Sequence, residues 1–236
     1  MASIIEYIKS IRKEGKRFLG KSSFFGNLKY YGRWNHSLNV RVDDIPWMTF
    51  GVIDYLEEWA GKEMKVFEYG AGSSTLFWAK RVKKVYSVEH DTLWAKKVKD
   101  DLAKKGITNV ELYLISPKPA ETSQKPDYSD PYQYRADDDE WRAYSFEEYV
   151  KKINSFEDNY FDVVVVDGRA RPSCLAASSS KIRVGGLMIL DNSEREYYLS
   201  RVGKLFSLDK WERKDFCGPV PGVMHFHQTT IFKRLK

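Results

Sequence analysis

The stretch of sequence that decides the fold runs Val66-Phe67-Glu68-Tyr69-Gly70-Ala71-Gly72-Ser73-Ser74-Thr75. It predicts a buried strand, a tight glycine turn and the start of a helix. Because Gly70 and Gly72 carry no Cβ, the backbone can turn sharply here and approach a ligand closely. Glu89 follows Gly70 by nineteen residues, at the end of a second predicted strand. A carboxylate there can accept two hydrogen bonds from a ribose diol, so the pattern predicts a nucleoside ligand.

Two details separate this stretch from a dinucleotide fingerprint. The third glycine of that fingerprint is absent, because Thr75 occupies its position. The charge of Glu68 would repel a pyrophosphate, whereas it suits a ligand that carries an ammonium or sulfonium group. Ser73, Ser74 and Thr75 offer hydroxyls and free N–H groups at the helix start. An ordinary strand-to-helix turn also favours glycine, so the residues alone leave that alternative open.

In these residues the sequence resembles the class I S-adenosylmethionine-dependent methyltransferases. Glu68-Tyr69-Gly70-Ala71-Gly72 matches their first motif, and Glu89 in Val85-Tyr86-Ser87-Val88-Glu89-His90-Asp91 matches their acidic ribose binder. The resemblance covers about residues 46 to 233 and implies an enzyme that uses S-adenosylmethionine. The cofactor-binding residues that it implies are Glu68, Gly70, Ala71, Gly72, Ser73, Ser74, Thr75, Glu89, His90 and Asp167.

The rhythm of strands and helices predicts the fold class. Predicted strands cover residues 64–69, 84–89, 110–115, 161–166, 187–190, 211–216 and 226–234. Helical patterns separate the first five, which predicts an α/β fold with a doubly wound, seven-stranded, mostly parallel sheet. Only a Gly/Pro-rich segment, residues 217–222, separates the last two, so they form a hairpin with an antiparallel C-terminal strand. The resemblance implies this Rossmann-like methyltransferase architecture.

Length and composition fit one such domain, residues 45–236, preceded by a basic helical segment, residues 1–44. The chain has 236 residues, and 42% hydrophobic content argues against disorder. No apolar run is long enough to span a membrane, and the N-terminus lacks a secretory pattern. Two distant cysteines, Cys174 and Cys217, predict a reducing compartment, and hence a cytoplasmic protein.

Much of the net charge of +6 falls in residues 9–33, where a single acidic residue, Glu14, opposes the cations. These cations are Lys9, Arg12, Lys13, Lys16, Arg17, Lys21, Lys29 and Arg33. Isoleucines at positions 4, 5, 8 and 11 recur at helical spacing, so this helix is amphipathic. One interpretation is that the helix packs its apolar stripe on the domain, or on a second copy of the chain to form a homodimer. The other is that residues 1–33 contact a membrane surface or nucleic acid.

A long insertion, residues 116–145, interrupts the rhythm after the third strand. It contains four prolines, five aromatic residues and the acidic run Asp137-Asp138-Asp139-Glu140. Loops of this length are usually functional or disordered, and the aromatic content argues against disorder. We expect either a lid that recognises the substrate or a surface excursion. The acidic run predicts a solvated face that disfavours polyanions, so a nucleic-acid partner is not expected.

Polar residues follow the fourth and fifth strands, where a doubly wound fold places its reacting groups. Asp167 follows Val166, and Asp191-Asn192 follows Leu190. The catechol-type O-methyltransferases bind Mg²⁺ at the three matching positions, so the resemblance implies a metal site on Asp167, Asp191 and Asn192. All-oxygen ligands suit such a cation. The chain departs from that subgroup in having Gly168-Arg169 where a lysine is usual, and an Asp-Asn pair also commonly forms a turn.

Methyl transfer to oxygen requires a group that takes the acceptor proton. Asp167 is the predicted catalytic residue, with His225 and His227 as further candidate bases. Arg169 and Arg171 either pair with an anionic acceptor or carry surface charge. We therefore expect methylation of a small-molecule or glycan-type acceptor, at oxygen. The alternatives are a nucleic-acid (RNA) methyltransferase, an aminopropyl transferase and a non-catalytic scaffold of the same fold.

Overall fold

A computed structural model describes residues 3–17, 24–39, 44–121 and 125–236, except for the side chains of residues 14–17 and 24. Lys21 of the predicted basic segment lies outside the described residues, as do the side chains of Lys16 and Arg17. Nine α-helices are present in the described ranges: α1 (Ile4–Arg17), α2 (Phe24–Leu28), α3 (Tyr31–Asn39), α4 (Phe50–Trp59), α5 (Ser73–Ala79), α6 (Thr92–Lys104), α7 (Glu147–Lys151), α8 (Arg171–Ser178) and α9 (Tyr197–Ser200).

Seven strands form the main sheet and two short ones form a separate pair. The main strands are β1 (Lys65–Tyr69), β2 (Lys84–Glu89), β3 (Val110–Leu114), β6 (Phe161–Val166), β7 (Ile182–Leu190), β8 (Trp211–Pro219) and β9 (Phe226–Arg234). The pair, β4 (Lys118–Pro119) and β5 (Tyr144–Ser145), closes the base of the insertion. The main sheet has the order β3-β2-β1-β6-β7-β9-β8. Its first five strands are parallel, and β9 runs antiparallel to both neighbours, so the predicted fold class and terminal hairpin are confirmed.

The valine run of β6 shows why the centre of the sheet is buried on both faces. Successive side chains of a strand point to opposite faces. Val163 and Val165 pack into one apolar cluster with α4 and α5, whereas Val164 and Val166 pack into the other with α7 and α8. All four are fully buried. The sheet therefore lies between two helical layers, as a parallel sheet requires.

The start of β7 differs from the prediction by five residues, and the end of β8 lies at Pro219 rather than at residue 216. We predicted that Gly185-Gly186 turns into a strand beginning at Leu187, but β7 begins at Ile182 and contains the glycine pair. Between the pairs Phe161–Ile182 and Val163–Leu187, β7 has three more residues than β6, so the strand bulges there. A Cβ at Gly186 would lie 2.7 Å from the carbonyl oxygen of Asp162, which explains a glycine inside the strand.

The N-terminal helices pack onto the same core as the sheet. Tyr7 and Ile11 of α1 and Trp34 of α3 are buried in one cluster with sheet residues, and the Tyr7 and Trp34 rings lie 4.8 Å apart. Ile4 and Ile5, predicted on the packed stripe, are 40% and 62% exposed instead. Within the described ranges no helix is long and apolar enough to cross a membrane. Surface contact with a membrane, dimerisation and a cytoplasmic location stay predictions.

Candidate functional site

A cavity of about 710 Å³ opens at the carboxyl edge of the sheet. Its floor contains Gly70, Glu89, Asp167 and Asn192, which follow or end β1, β2, β6 and β7. In an open α/β sheet this edge is where ligands bind. The walls come from elements outside the parallel sheet: the end of α3, Trp47, the insertion and the β8–β9 loop. The end of α3 and the β8–β9 loop were not predicted to border the site.

The β8–β9 loop is fastened to α3 by two hydrogen bonds. The indole Nε1 of Trp34 donates to the carbonyl oxygen of Val223 at 2.8 Å, and the Gly222 N–H donates to the Ser37 hydroxyl at 3.1 Å. Ser37 and Val223 both line the cavity. The N-terminal helices therefore fix one wall of the cavity.

The glycine turn brings the ends of β1 and β6 into contact. Gly70 has φ +91°, and a Cβ there would lie 2.9 Å from the Cα of Gly168. Gly168 is equally constrained, because a Cβ on it would lie 2.0 Å from the Tyr149 hydroxyl oxygen. Gly72 differs from the prediction, since its φ of 175° is extended and open to any residue. The tight approach thus depends on Gly70 and Gly168.

Glu68 lies beneath this turn and does not line the cavity. Its carboxylate is fully buried and accepts hydrogen bonds from the hydroxyls of Ser74, Thr75 and Ser87. Burial raises the pKa of Glu68 to about 7, although these three hydrogen bonds act in the opposite direction. Through these hydrogen bonds Glu68 joins β1 to β2 and to α5. Its predicted contact with a cationic ligand group stays a prediction.

Glu89 is a cavity-lining carboxylate held in place by backbone N–H groups. Its Oε1 accepts from the N–H of His90 at 2.7 Å and of Asp91 at 2.8 Å, while Oε2 accepts from Ala71 at 3.1 Å. The side chain thereby connects the end of β2 to the glycine turn. Each carboxylate oxygen has two lone pairs, so Oε2 retains acceptor capacity toward the cavity.

Of the other predicted cofactor residues, Ala71, Gly72, Ser73, Ser74 and His90 also line the cavity, whereas Thr75 does not.

Trp94 forms an apolar wall beside the turn, and sequence reasoning missed it. It lies in the first turn of α6, where the carboxylate of Asp91 caps its backbone N–H at 2.7 Å. Its indole Nε1 donates to the carbonyl oxygen of Ala71 at 2.6 Å. The ring lies close enough to Gly72 that a Cβ there would be 3.8 Å away. The indole therefore offers a flat apolar surface to the cavity, beside the Glu89 carboxylate.

Asp167 and Asp191 form an acidic pair beside Arg171, in which Asp191 is buried and Asp167 is partly exposed to the cavity. The guanidinium Nη2 of Arg171 lies 3.0 Å from Asp167 Oδ1, and its Nη1 donates to the carbonyl oxygen of Asp191. Thr229 Oγ1 donates to Asp191 Oδ1 at 2.6 Å. Burial raises the pKa of both carboxyls; the charge of Asp167 raises that of Asp191 further, while Arg171 opposes both shifts. The structure therefore agrees with neither sequence interpretation of Arg171. Its guanidinium is not a surface charge, and it does not line the cavity where an acceptor would bind.

Asn192 and His227 form a second polar pair on the cavity wall. Asn192 has φ +50°, in the left-handed region, and its Nδ2 lies 2.8 Å from His227 Nδ1. The strand order places this pair beyond Asp167, on the opposite side of the cavity from Glu89. His225 does not line the cavity, although its ring lies 4.7 Å from that of His227.

The described residues of the insertion contact the site through an ion pair, an aromatic ring and a hydrogen bond from the Ser116 hydroxyl to the His90 carbonyl oxygen. Arg169 Nη1 lies 3.1 Å from Asp138 Oδ2, and the Trp141 ring packs edge-on against His90 at 5.2 Å. Trp141 and Glu140 line the cavity. Asp138 is thus tied to the end of β6, whereas Asp139 is exposed as the solvated-face interpretation predicted.

The residues present do not fit the predicted Mg²⁺ site on Asp167, Asp191 and Asn192. The Arg171 guanidinium already contacts Asp167, Asp191 accepts from Thr229, and the Asn192 amide faces His227. Nowhere in the described part of the chain do three or more His, Cys, Asp or Glu side chains form a group suited to a metal ion.

Solved structures share this fold. An rRNA methylase from Streptococcus thermophilus matches with a TM-score of 0.54 at 15% sequence identity, over 79% of this chain and 95% of that one. An S-adenosylmethionine-dependent O-methyltransferase from Thermotoga maritima matches with a TM-score of 0.51 at 13% identity, over 86% and 71%. A Streptococcus mutans protein solved in complex with S-adenosylhomocysteine matches with a TM-score of 0.55 at 13% identity, over 80% and 99%.

These likenesses establish the fold of the class I S-adenosylmethionine-dependent methyltransferases, which the first motif predicted. No protein-family model matches the sequence, and no curated protein matches it either.

Proposed function

We propose that this protein is an S-adenosylmethionine-dependent methyltransferase that methylates a hydroxyl oxygen of a small-molecule or glycan-type acceptor. The observation that carries the proposal is Glu89, a carboxylate fixed by three backbone N–H groups beside a tight glycine turn, within a cavity that continues to Asp167 and His227. The bound S-adenosylhomocysteine in a protein of the same fold supports the choice of cofactor.

The strand order arranges the proposed site along one line. Strands β2, β1, β6, β7 and β9 follow one another in the sheet, with Glu89 at the first and His227 on the last. Neighbouring strands lie about 4.8 Å apart, so Asp167 is about 10 Å along the sheet from Glu89. Glu89 would hold the ribose of the cofactor, Trp94 would lie beside its adenine, and the charge of Asp167 would favour its sulfonium. The acceptor then occupies the end near Asn192 and His227.

Methyl transfer there is an in-line displacement that depends mainly on alignment. The bound cofactor would supply the methyl group to a lone pair of the acceptor oxygen, and the electrons of the broken carbon–sulfur bond would stay with its sulfur. The acceptor proton must pass to a nearby base. Asp167 and His227 are the cavity side chains placed to take that proton, and Asn192 orients the imidazole.

The charges around the cavity favour a neutral or cationic acceptor over RNA. Six acidic residues line it against two basic ones, Lys97 and Arg169, so a polyanion would meet a net negative charge. The acidic residues are Glu89, Asp91, Asp101, Glu140, Asp167 and Asp191. Since solved proteins of this fold include both an rRNA methylase and an O-methyltransferase, the acceptor must be tested directly. Protein incubated with methyl-labelled S-adenosylmethionine and either a panel of phenols and sugars or bulk tRNA and rRNA should label the small molecules. Label in RNA would contradict the proposed acceptor while leaving the cofactor in place.

Replacing Glu89 with alanine should weaken S-adenosylmethionine binding by roughly 1.5–3 kcal/mol, because the ribose loses its charged hydrogen-bond acceptor. That corresponds to a rise in Kd of roughly ten-fold to one hundred-fold in isothermal calorimetry. Glu89→Gln keeps one oxygen and should give an intermediate affinity, and a thermal melt checks that each variant is folded. Glu111→Ala, on the surface of β3, is the matched control. If Glu89→Ala and Glu111→Ala bind S-adenosylmethionine with equal affinity, the ribose does not bind Glu89.

A further inference from the structure

Arg171 is a buried cation, and the hydrogen bonds of its guanidinium go to the ends of two neighbouring strands. Its side chain is 10% exposed. Its Nε donates to the carbonyl oxygen of Gly168 at 3.0 Å, and its Nη2 donates to the carbonyl oxygen of Asp167 at 3.2 Å and to Asp167 Oδ1 at 3.0 Å. Its Nη1 donates to the carbonyl oxygen of Asp191. One planar group therefore joins the end of β6 to the end of β7, as the forked geometry of guanidinium allows.

The surroundings of Arg171 complete a built site. The ring of Tyr198 lies 5.3 Å from the guanidinium carbon, in a cation–π contact. Asp191 is 2% exposed and is held from its other side by Thr229. Asp191 is buried and the neighbouring Asp167 side chain is 25% exposed, so this pair favours a compensating positive charge, because desolvation disfavours an unpaired anion. Arg171 supplies that charge at the positions where the sequence predicted Mg²⁺.

We propose that Arg171 takes the place of a divalent cation at this strand-end site: it neutralises Asp167 and Asp191 and fixes the ends of β6 and β7, so that the site forms without a metal ion. A divalent ion on Asp167 would stand beside the guanidinium and be repelled by it. The proposal concerns how the site is assembled, so it stands or falls separately from methyl transfer.

Metal titrations of the unmodified protein give the first test. We expect millimolar Mg²⁺ or EDTA to leave its melting temperature unchanged, and Mn²⁺, followed by electron paramagnetic resonance, to show no bound ion that depends on Asp191. If Mn²⁺ binds at micromolar concentration and Asp191→Asn abolishes the binding, the proposal is overturned. This titration does not need a variant of Arg171, so it tests the proposal even if such a variant fails to fold.

Substitution of Arg171 gives the second test. Arg171→Met keeps much of the side-chain length but removes the charge, and should lower the melting temperature by about 10 °C. Because the two carboxylates are then uncompensated, millimolar Mg²⁺ or Mn²⁺ should recover part of that loss. Adding Asp191→Asn to Arg171→Met should abolish the recovery.

The matched control is Arg183→Met, which removes an arginine paired with Asp162 at the opposite end of β6. Its melting temperature should not respond to metal. If Arg171→Met melts at the temperature of the unmodified protein, Arg171 is not the compensating cation and the proposal fails.

Discussion

Replacing Gly70 with alanine is expected to lower the free energy of unfolding by about 3 kcal/mol. Two separate effects add. The backbone at Gly70 has φ +91°, which an L side chain adopts only with strain. The new Cβ would also meet backbone atoms of Gly168 at 2.9 and 3.0 Å, so either β1 or β6 would have to move at its end.

Gly106→Ala is the control that separates the two effects. Gly106 also has positive φ, +64°, but no atom lies within 4 Å of its ideal Cβ. It should therefore lose only the conformational part, about 1 kcal/mol. Urea unfolding of both variants measures the difference. Equal losses at the two positions would mean that β1 and β6 do not approach each other as described.

Replacing Glu68 with glutamine should change how stability depends on pH. The pKa of Glu68 is raised from 4.5 to about 7 by burial, so the folded protein holds a proton that the unfolded chain releases. The stability from this proton is complete below pH 4.5 and is lost as the pH rises to about 7. Each pKa unit corresponds to about 1.4 kcal/mol, so the loss amounts to about 3 kcal/mol.

Glutamine is neutral throughout this range and can still bond the hydroxyls of Ser74, Thr75 and Ser87. Between pH 4.5 and about pH 7 the unmodified protein should lose about 3 kcal/mol of stability that Glu68→Gln does not lose. The free energy of unfolding of the variant minus that of the unmodified protein should therefore rise by about 3 kcal/mol over this range. Denaturant melts at a series of pH values measure it. Glu148→Gln, on the surface of α7, should show no such trend. A constant difference for Glu68→Gln would show that Glu68 is ionised in the fold.

The sequence was sufficient to predict the sheet because its signals are local. The unbroken valines of β6 require burial on both faces, and Gly70 requires a turn after β1. The Gly/Pro-rich segment 217–222 contains no helical pattern, which predicted a hairpin, and its first three residues extend β8. The boundary of β7 was mispredicted because a glycine pair commonly marks a turn, whereas here it allows a bulge within the strand.

The site was less predictable, because it depends on contacts between residues distant in sequence. Whether Glu68 faces a ligand depends on three hydroxyls, one of them Ser87 on the neighbouring strand. Likewise, a helix-start position gives no indication that Arg171 turns inward to Asp167 and Asp191. The wall formed by α3 and the β8–β9 loop joins residues almost two hundred positions apart, as in the bond from Trp34 to Val223.

A crystal structure of the protein with S-adenosylhomocysteine would locate the cofactor in the cavity. We expect the ribose hydroxyls to lie within hydrogen-bond distance of the Glu89 carboxylate, with the adenine beside Trp94. The thioether sulfur should lie on the Asp167 side of the glycine turn, with free volume remaining beside Asn192 and His227. A cavity that stays empty at saturating ligand, or a nucleoside bound away from Glu89, would contradict the proposed cofactor site.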